Sequence, residues 1–427
     1  MKTFALRGHI IYSISKDELK IMEHGYAVCE NGKSKGVFLE LPKEYEGAEV
    51  IDYGNRLIIP GLVDLHLHAP QFPFRTLGMD LELLEWLNTH TFPEESKYAQ
   101  LDYAKQAYGQ FCMSLNQSAT TRAVMFATLH VPATKLLMDM LEETGMKCYV
   151  GKVNMDRNSP EYLCEEDAQT SIKETKEWLS YCEGRYKNVY PILTPRFTPS
   201  CTDELVEELA KLQKETKLPA QSHLSENESE IAWVQELSPE SEFYGDAYDR
   251  LGLFGTNGDV IMAHCVHSTK EEIERMKERG VYIAHCPISN TNLSSGIAPA
   301  KLYLEEGLHI GLGSDMAGGH DLSLLEVMAH AIQVSKLRWK LVDSDRKPLT
   351  VEEVFYMGTK GGGSFFGSVG SFEEGYEFDA VVLDDSNIVS VKDVSVKERL
   401  ERMIYLSDEH NILDKYVAGS RTLEGKR

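Results

Sequence analysis

Apolar positions fall into a β-like pattern at both ends of the chain and an alternating pattern between them. Over the first sixty residues, runs such as "GHIIYSI", "AVCENGKSKGVFLEL" and "NRLIIPG" are broken by Gly and Asn, as in strands joined by turns. Within them, "ENGK" predicts a hairpin, because Asn-Gly takes the positive φ angles that a two-residue reversal needs. After Pro60, short apolar runs alternate with stretches whose apolar residues recur at helical spacing. Eight runs read as buried strands: "GLVDLHLH", "TTRAVMFATL", "MKCYVGKVNM", "VYPILTPRF", "LPAQSHLS", "DVIMAHCVH", "VYIAHCPIS" and "HIGLGSD". Between them, "DELVEELAKLQKET" and "TKEEIERMKERG" carry amphipathic helical spacing. Eight strand–helix units predict an α/β fold, a (β/α)8 barrel of the TIM type.

Residues 60–370 exceed the roughly 250 residues of a plain barrel, so the surplus is expected in the loops, notably 69–105 and 225–256. The tail "SFEEGYEFDAVVLDDSN" is strand-like again. It predicts a smaller, discontinuous β-sandwich domain built from both chain ends, residues 1–59 and 371–427, beside a catalytic barrel of residues 60–370. "GTKGGGSFFG" (358–367) does not match a phosphate loop and is expected to be a helix packed closely on the barrel.

Composition narrows the functional classes. The chain has 427 residues, 42% of them hydrophobic and 26% charged, a soluble globular balance. A net charge of −23 argues against nucleic acid, which requires a basic surface. No stretch approaches a membrane span. The eight cysteines are scattered without a CxxC, which reads as reduced, mostly buried thiols. "MKTFALRGHIIYSI" has neither a long apolar core nor a cleavage site of small residues, so a cytoplasmic location is expected.

Several strand candidates end in chemistry-bearing side chains. In "PGLVDLHLH", His66 and His68 stand one residue apart, and a strand period of two projects both from one face. The pair reads either as two hydrogen-bonded histidines or as two neutral imidazoles sharing a divalent cation. Other strand ends favour the cation: "AQSHLSE" supplies His223 and Glu226, "IMAHCVH" His264, and "GLGSD" Asp315. A barrel gathers such positions at its C-terminal mouth. The predicted ligand set is His66, His68, His223 and Asp315 around one Zn2+ per subunit, with iron or manganese as chemical alternatives. Asp315 can touch metal and water together and take the water's proton. His264 would hydrogen-bond the attacking water or the developing oxyanion. Glu226 suits proton transfer to a ring nitrogen and then to a departing amine. Its alternative reading is a helix N-terminal glutamate of "ENESEIAWVQEL". Barrel hydrolases with two metals bridge them on a modified lysine at strand four. Here that strand ends "TPRF", with Arg196 in place of a lysine and Lys152 on strand three as the nearest substitute. One metal is therefore expected.

"PGLVDLHLH", "SHLSE", "AHCVH", "HCPISN" and "GLGSD" together resemble the amidohydrolase superfamily, specifically its single-metal deaminase branch. "HLHAPQFPF", "LLEWLNTHTFPEE", "GKVNMDRNSP" and "TPRFTPSC" narrow the resemblance to the guanine-deaminating enzymes. The resemblance implies hydrolysis of guanine to xanthine and ammonia, the four ligands above, and Glu226, His264 and Asp315 as the catalytic groups. It implies a substrate site of Gln71, Arg196 and Phe197 with His223, Glu226 and His264, and a homodimer. Arg196 offers fixed donors for a carbonyl oxygen or ring nitrogen. Gln71 can donate and accept, and Phe197 can cover a ring face. Each also has an ordinary structural reading, as loop anchor, backbone partner or core residue. Asp80, Trp86 and Phe92 are expected in a lid or wall, and His285 is given no metal role.

Rival readings are a barrel hydrolase acting on an adenosine derivative, a pterin or a triazine, and a catalytically dead scaffold. The scaffold is disfavoured because all four ligands and Glu226 are present. The other zinc-deaminase architecture, which requires P-C-x-x-C, is excluded by the absence of a CxxC.

Overall fold

The computed structural model describes residues 3–424. Four strands open the chain: β1 (Thr3–Ser15), β2 (Glu18–Glu30), β3 (Lys33–Phe38) and β4 (Glu49–Pro60). The β2–β3 hairpin turns at "ENGK" as predicted: Glu30 pairs with Lys33, and Asn31 and Gly32 have φ of 53° and 79°. β4 lies parallel to β1 and passes through Gly61 into the first barrel strand, β5 (Leu62–His68). Gly61 is required by close approach, since a Cβ there would stand 2.2 Å from Thr121 Oγ1.

The other barrel strands are β6 (Thr120–Phe126), β7 (Lys147–Gly151) continued by β8 (Val153–Asn154), and β9 (Val189–Pro191) continued by β10 (Thr194–Pro195). They are followed by β11 (Ala220–Leu224), β12 (Val260–His264), β13 (Tyr282–His285) and β14 (His309–Leu312). Among the described residues the sheet runs β11-β12-β13-β14-β5-β6-β7-β9, all parallel, and Leu193 bridges to Ala220 to close it. All eight predicted runs thus hold a barrel strand. Val63, Leu65, Val124, Ile192, Ile261 and Ala263 come from strands around the ring and pack as one buried cluster that fills its centre. The pairing of β5 with β6 slips between Asp64 and Leu67, so simple alternation does not run unbroken into His66 and His68.

The surplus lies in the two predicted loops. After β5 come helical turns at Leu83–Trp86, Leu87–Thr91, Phe92–Glu95 and Ser96–Ala99, before the long helix Leu101–Gln117. After β11 come helices Glu228–Leu237 and Tyr244–Arg250. The glycine-rich stretch continues a helix packed on β14, where a Cβ on Gly311 would come within 2.8 Å of Gly362 Cα.

β15 (Ala380–Leu383), β16 (Ile412–Val417) and β17 (Ser420–Glu424) return to the first sheet. Among the described residues that sheet has the order β17-β16-β15-β4-β1-β2-β3. Residues 1–2 and 425–427 of the two end segments lie outside the described residues. Sheet and barrel meet through buried charge. Arg122 on β6 donates to Asp379 (2.6 Å) and to Glu377 (2.6 Å), which also accepts from Lys147 (2.6 Å). Lys415 on β16 points its ammonium at the carbonyls of Leu115, Ser118 and Thr120 (3.4, 3.1 and 2.9 Å). Seven cysteines are buried and Cys164 partly exposed. No helix among the described residues is long and apolar enough to cross a membrane.

Candidate active site

The strand ends of β5, β11 and β12 and the turn after β14 bring His66, His68, His223, His264 and Asp315 into one buried group. His68 Nε2 faces His223 Nε2 at 3.1 Å, and Asp315 Oδ1 stands 3.2 Å from His66 Nε2 and 3.6 Å from His68 Nε2. His264 Nε2 lies 3.4 Å from Glu226 Oε2 and 3.8 Å from Asp315 Oδ2. The backbone turns sharply to achieve this. Ser225, His264, Cys265 and Asp315 all have φ between 47° and 72°, a left-handed conformation that costs non-glycine residues of order 1 kcal/mol or more and clusters at functional sites.

The hydrogen bonds around the group fix which nitrogen faces inward. His223 Nδ1–H donates to Arg196 O (2.6 Å), leaving a lone pair on Nε2. His264 Nδ1–H donates to Asn290 Oδ1 (2.9 Å), so its Nε2 also faces the centre as an acceptor. Neither nitrogen of His66 nor Nδ1 of His68 completes a hydrogen bond. A direct His68–His223 hydrogen bond would leave His66 unsatisfied, a cost that buried polar atoms rarely bear. Imidazoles and a carboxylate so close together are a donor set that could hold a divalent metal: His66, His68 and Asp315 have ligand atoms within 4.8 Å of one another, as do His66, His223 and His264. Burial favours the neutral form of His66, His68 and His223 by lowering their pKa, and the neighbouring imidazoles reinforce this for His68 and His223. For Asp315, burial is outweighed by the His66 and His264 imidazoles, which hold its carboxyl down to about 2.

Glu226 behaves oppositely. Burial, then the nearby Asp315 charge, raises its carboxyl well above the ordinary range, and Ser295 Oγ donates to its Oε1 (3.2 Å). It is no helix cap. Asn227 caps Glu228–Leu237 together with Glu230, whose Oε2 accepts from the backbone N–H of Glu226 (3.0 Å). Burial and Glu226 push Glu230 up to about 7.

These groups line one concave cleft at the barrel mouth, the setting in which small-molecule sites are built. Its walls include Gln71, Arg196 and Phe197 with the apolar side chains of Leu83, Trp86 and Leu87. All residues predicted for metal, catalysis or substrate are therefore gathered here, with His66 buried just behind the wall. Among the predicted lid residues, Trp86 lines the cleft and Phe92 lies beneath Arg196, with the guanidinium 5.2 Å from its ring centroid. Asp80 is exposed and does not line the cleft, because the chain carries it outward before the helical turns begin. Lys152 is fully buried in an ion pair with Glu165 and bridges nothing at the centre.

Sequence reasoning missed residues that brace the site. Asp64, pushed up to about 6 by burial, accepts from the backbone N–H groups of His66 (3.2 Å) and Ser314 (3.0 Å) and so ties β5 to the turn that carries Asp315. Ser295 and Asn290 orient Glu226 and His264. A signal for Asn290 was available in "HCPISN", which ends strand seven beside the mouth, whereas Ser295 lies beyond that run.

Comparison with known proteins agrees. The family model described as "Amidohydrolase family" matches residues 57–422. Guanine deaminase of Dictyostelium discoideum is 40% identical over 384 residues, 88% of this chain and 84% of that protein. The human guanine deaminase is 36% identical over 98% of this chain and 96% of its own. A crystal structure of guanine deaminase from C. acetobutylicum, with guanine bound in its active site, is 48% identical. It superimposes with a TM-score of 0.95, covering 98% of this chain and all of that one. On fold, site and sequence together, the chain belongs to the amidohydrolase family.

Proposed function

We propose that this chain is a zinc-dependent guanine deaminase, hydrolysing guanine to xanthine and ammonia. The observation that carries the reading is the facing of two sets of groups across one cleft: a His/Asp group able to hold a cation beside Glu226, whose carboxyl burial raises, and a polar wall of Gln71 and Arg196. The relatives named guanine deaminase, one with guanine bound, support the same substrate.

His66, His68, His223 and Asp315 would hold the metal. When bound, zinc supplies Lewis acidity that makes water a nucleophile near neutral pH. Arg196 donates to the carbonyl or imidazole edge of the base, Gln71 takes the edge bearing N3, and Phe197 covers a ring face. Together they set the amino-bearing carbon against the attacking water, the entropic part of the catalysis. Asp315, held ionised, accepts a proton from that water. Glu226, held protonated, delivers its proton to N3. It then takes the remaining hydroxyl proton and passes it to the amine as the C–N bond breaks. The proton left on Asp315 returns to Glu226, with His264 Nε2 between the two carboxylates to orient the exchange. The two protons gained by N3 and by ammonia are those of the consumed water.

Family resemblance further supports a cytoplasmic homodimer working in purine breakdown, with residues 60–370 as the catalytic unit and 1–59 with 371–427 flanking it. The test is metal analysis of purified protein together with ammonia release from guanine, adenosine, pterins and triazines. One zinc per chain and turnover of guanine are expected. Turnover of adenosine with none of guanine rejects the substrate assignment.

A further inference from the structure

Glu95 is 1% exposed, lies outside the wall of the cleft, and is held by two residues of that wall. Its Oε1 accepts from Gln71 Nε2 (2.9 Å) and from Arg196 Nη2 (3.2 Å), and its Oε2 accepts from Arg196 Nη1 (2.6 Å). Gln71 Oε1 in turn accepts from the backbone N–H of Ala317 (3.2 Å). The amide of Gln71 is therefore held at both ends and cannot turn over. The fork of Arg196 is held end-on, with Phe92, from the same helical turn as Glu95, packed beneath it.

We propose that Glu95 is a positioning residue that fixes the donor and acceptor pattern offered to the substrate. This rests on the guanine reading above. Both Glu95 oxygens accept here, so the Gln71 atom facing it must be the NH2 group and the Arg196 hydrogens facing it are consumed. What remains for the ligand is set: one N–H and one lone pair from Gln71, and only donors from Arg196. A base with a ring carbonyl beside its imidazole edge matches those donors. A base with an amino group in that place sets donor against donor, and a site built for one polar pattern rejects its mismatch strongly. The helical turns of residues 83–95 thus bring two things to the barrel mouth, an apolar wall from Leu83, Trp86 and Leu87 and a polarity setter in Glu95.

The test compares the wild type with Glu95→Gln and Glu95→Asp as metal-loaded full chains, using guanine and 2,6-diaminopurine as substrates and ammonia as readout. With a glutamine there, one carboxylate oxygen becomes an NH2 that cannot accept from Arg196, so the guanidinium fork is no longer held at both tips, while the Ala317 N–H still orients Gln71. We expect KM for guanine to rise about 10- to 100-fold in Glu95→Gln with kcat changed much less, and the preference for guanine over 2,6-diaminopurine to shrink at least about tenfold. Metal content should stay at the wild-type level. Glu95→Asp keeps the charge but is one methylene shorter, and should show the same KM-led pattern more weakly, including if Glu95→Gln proves insoluble. Unchanged KM and unchanged preference in either soluble variant overturns the proposal while leaving the guanine reading intact. So does a loss of kcat in step with lost metal, which marks a merely structural role. Absence of guanine turnover in the wild type removes both readings together.

Discussion

At the N-terminal end of the barrel, Arg122 meets Asp379 and Glu377, Lys147 shares Glu377, and the ammonium of Lys415 faces three backbone carbonyls. At the C-terminal end, the buried imidazoles of His66 and His68 leave nitrogens without partners, and the carboxyl of Glu226 is raised while that of Asp315 is lowered. Both ends bury charge and polarity, the seam less completely at Glu377 and Lys147. The difference is completion: at the seam Arg122, Lys147, Asp379 and Glu377 answer one another and Lys415, lowered to about 7 by burial, meets backbone carbonyls, whereas at the mouth the unmet atoms are aimed at one common space. Burial of polar groups therefore marks stability at one end and chemistry at the other, and the convergence of unmet atoms on one cleft distinguishes the mouth.

That contrast can be broken experimentally. Chelation of the metal, or His66→Ala, should abolish guanine turnover while the chain stays folded by circular dichroism. Restored turnover on adding zinc to the chelated wild type checks the first arm. Glu226→Gln should lower kcat by about two to four orders of magnitude with metal retained, and turnover near the wild-type rate would remove Glu226 from the mechanism. At the seam, Arg122→Met leaves the buried carboxylate of Asp379 without its cation, while Glu377 keeps Lys147, and should cost about 3–5 kcal/mol in denaturant unfolding, while kcat per folded molecule is unchanged. If instead activity falls and stability holds, the two ends are not separable. The smallest effect concerns acid. Burial opposes ionisation of Glu377, but Arg122 and Lys147 prevail and hold it down to about 2 against an ordinary 4.5. With the folded value below the unfolded one, its contribution is complete above pH 4.5 and is lost as pH falls toward 2. Wild type should lose about 2 kcal/mol more than Glu377→Gln across that window, measured by urea midpoints at stepped pH.

The barrel was legible because each strand is a short buried run and each unit repeats the same alternation. The cation site was legible because a barrel sends its strand ends to one place, so His66, His68, His223, His264 and Asp315 could be assembled without knowing a single distance. The slip of β5 against β6 was not legible, since a shifted register leaves no mark on residue order. Glu95 escaped for a related reason. It belongs to helical turns within a long insertion, and its partners stand 24 and 101 residues away in sequence, so only the fold reveals that a glutamate in "TFPEE" braces an arginine in "TPRF". Asp80 and Trp86 lie in the same insertion, and no periodicity told which would turn inward.

The passage of β4 through Gly61 into β5 leaves the barrel without a separate beginning. Recombination that grafts this barrel onto another leader must recreate Gly61 against Thr121, the N–H of Gly61 donating to Asp379 O (3.1 Å), and the pairing of Pro60 with Ala380. Sheet and barrel are in that sense one heritable unit, and shuffling of modules should be tolerated at the loops around the mouth long before it is tolerated at residue 60.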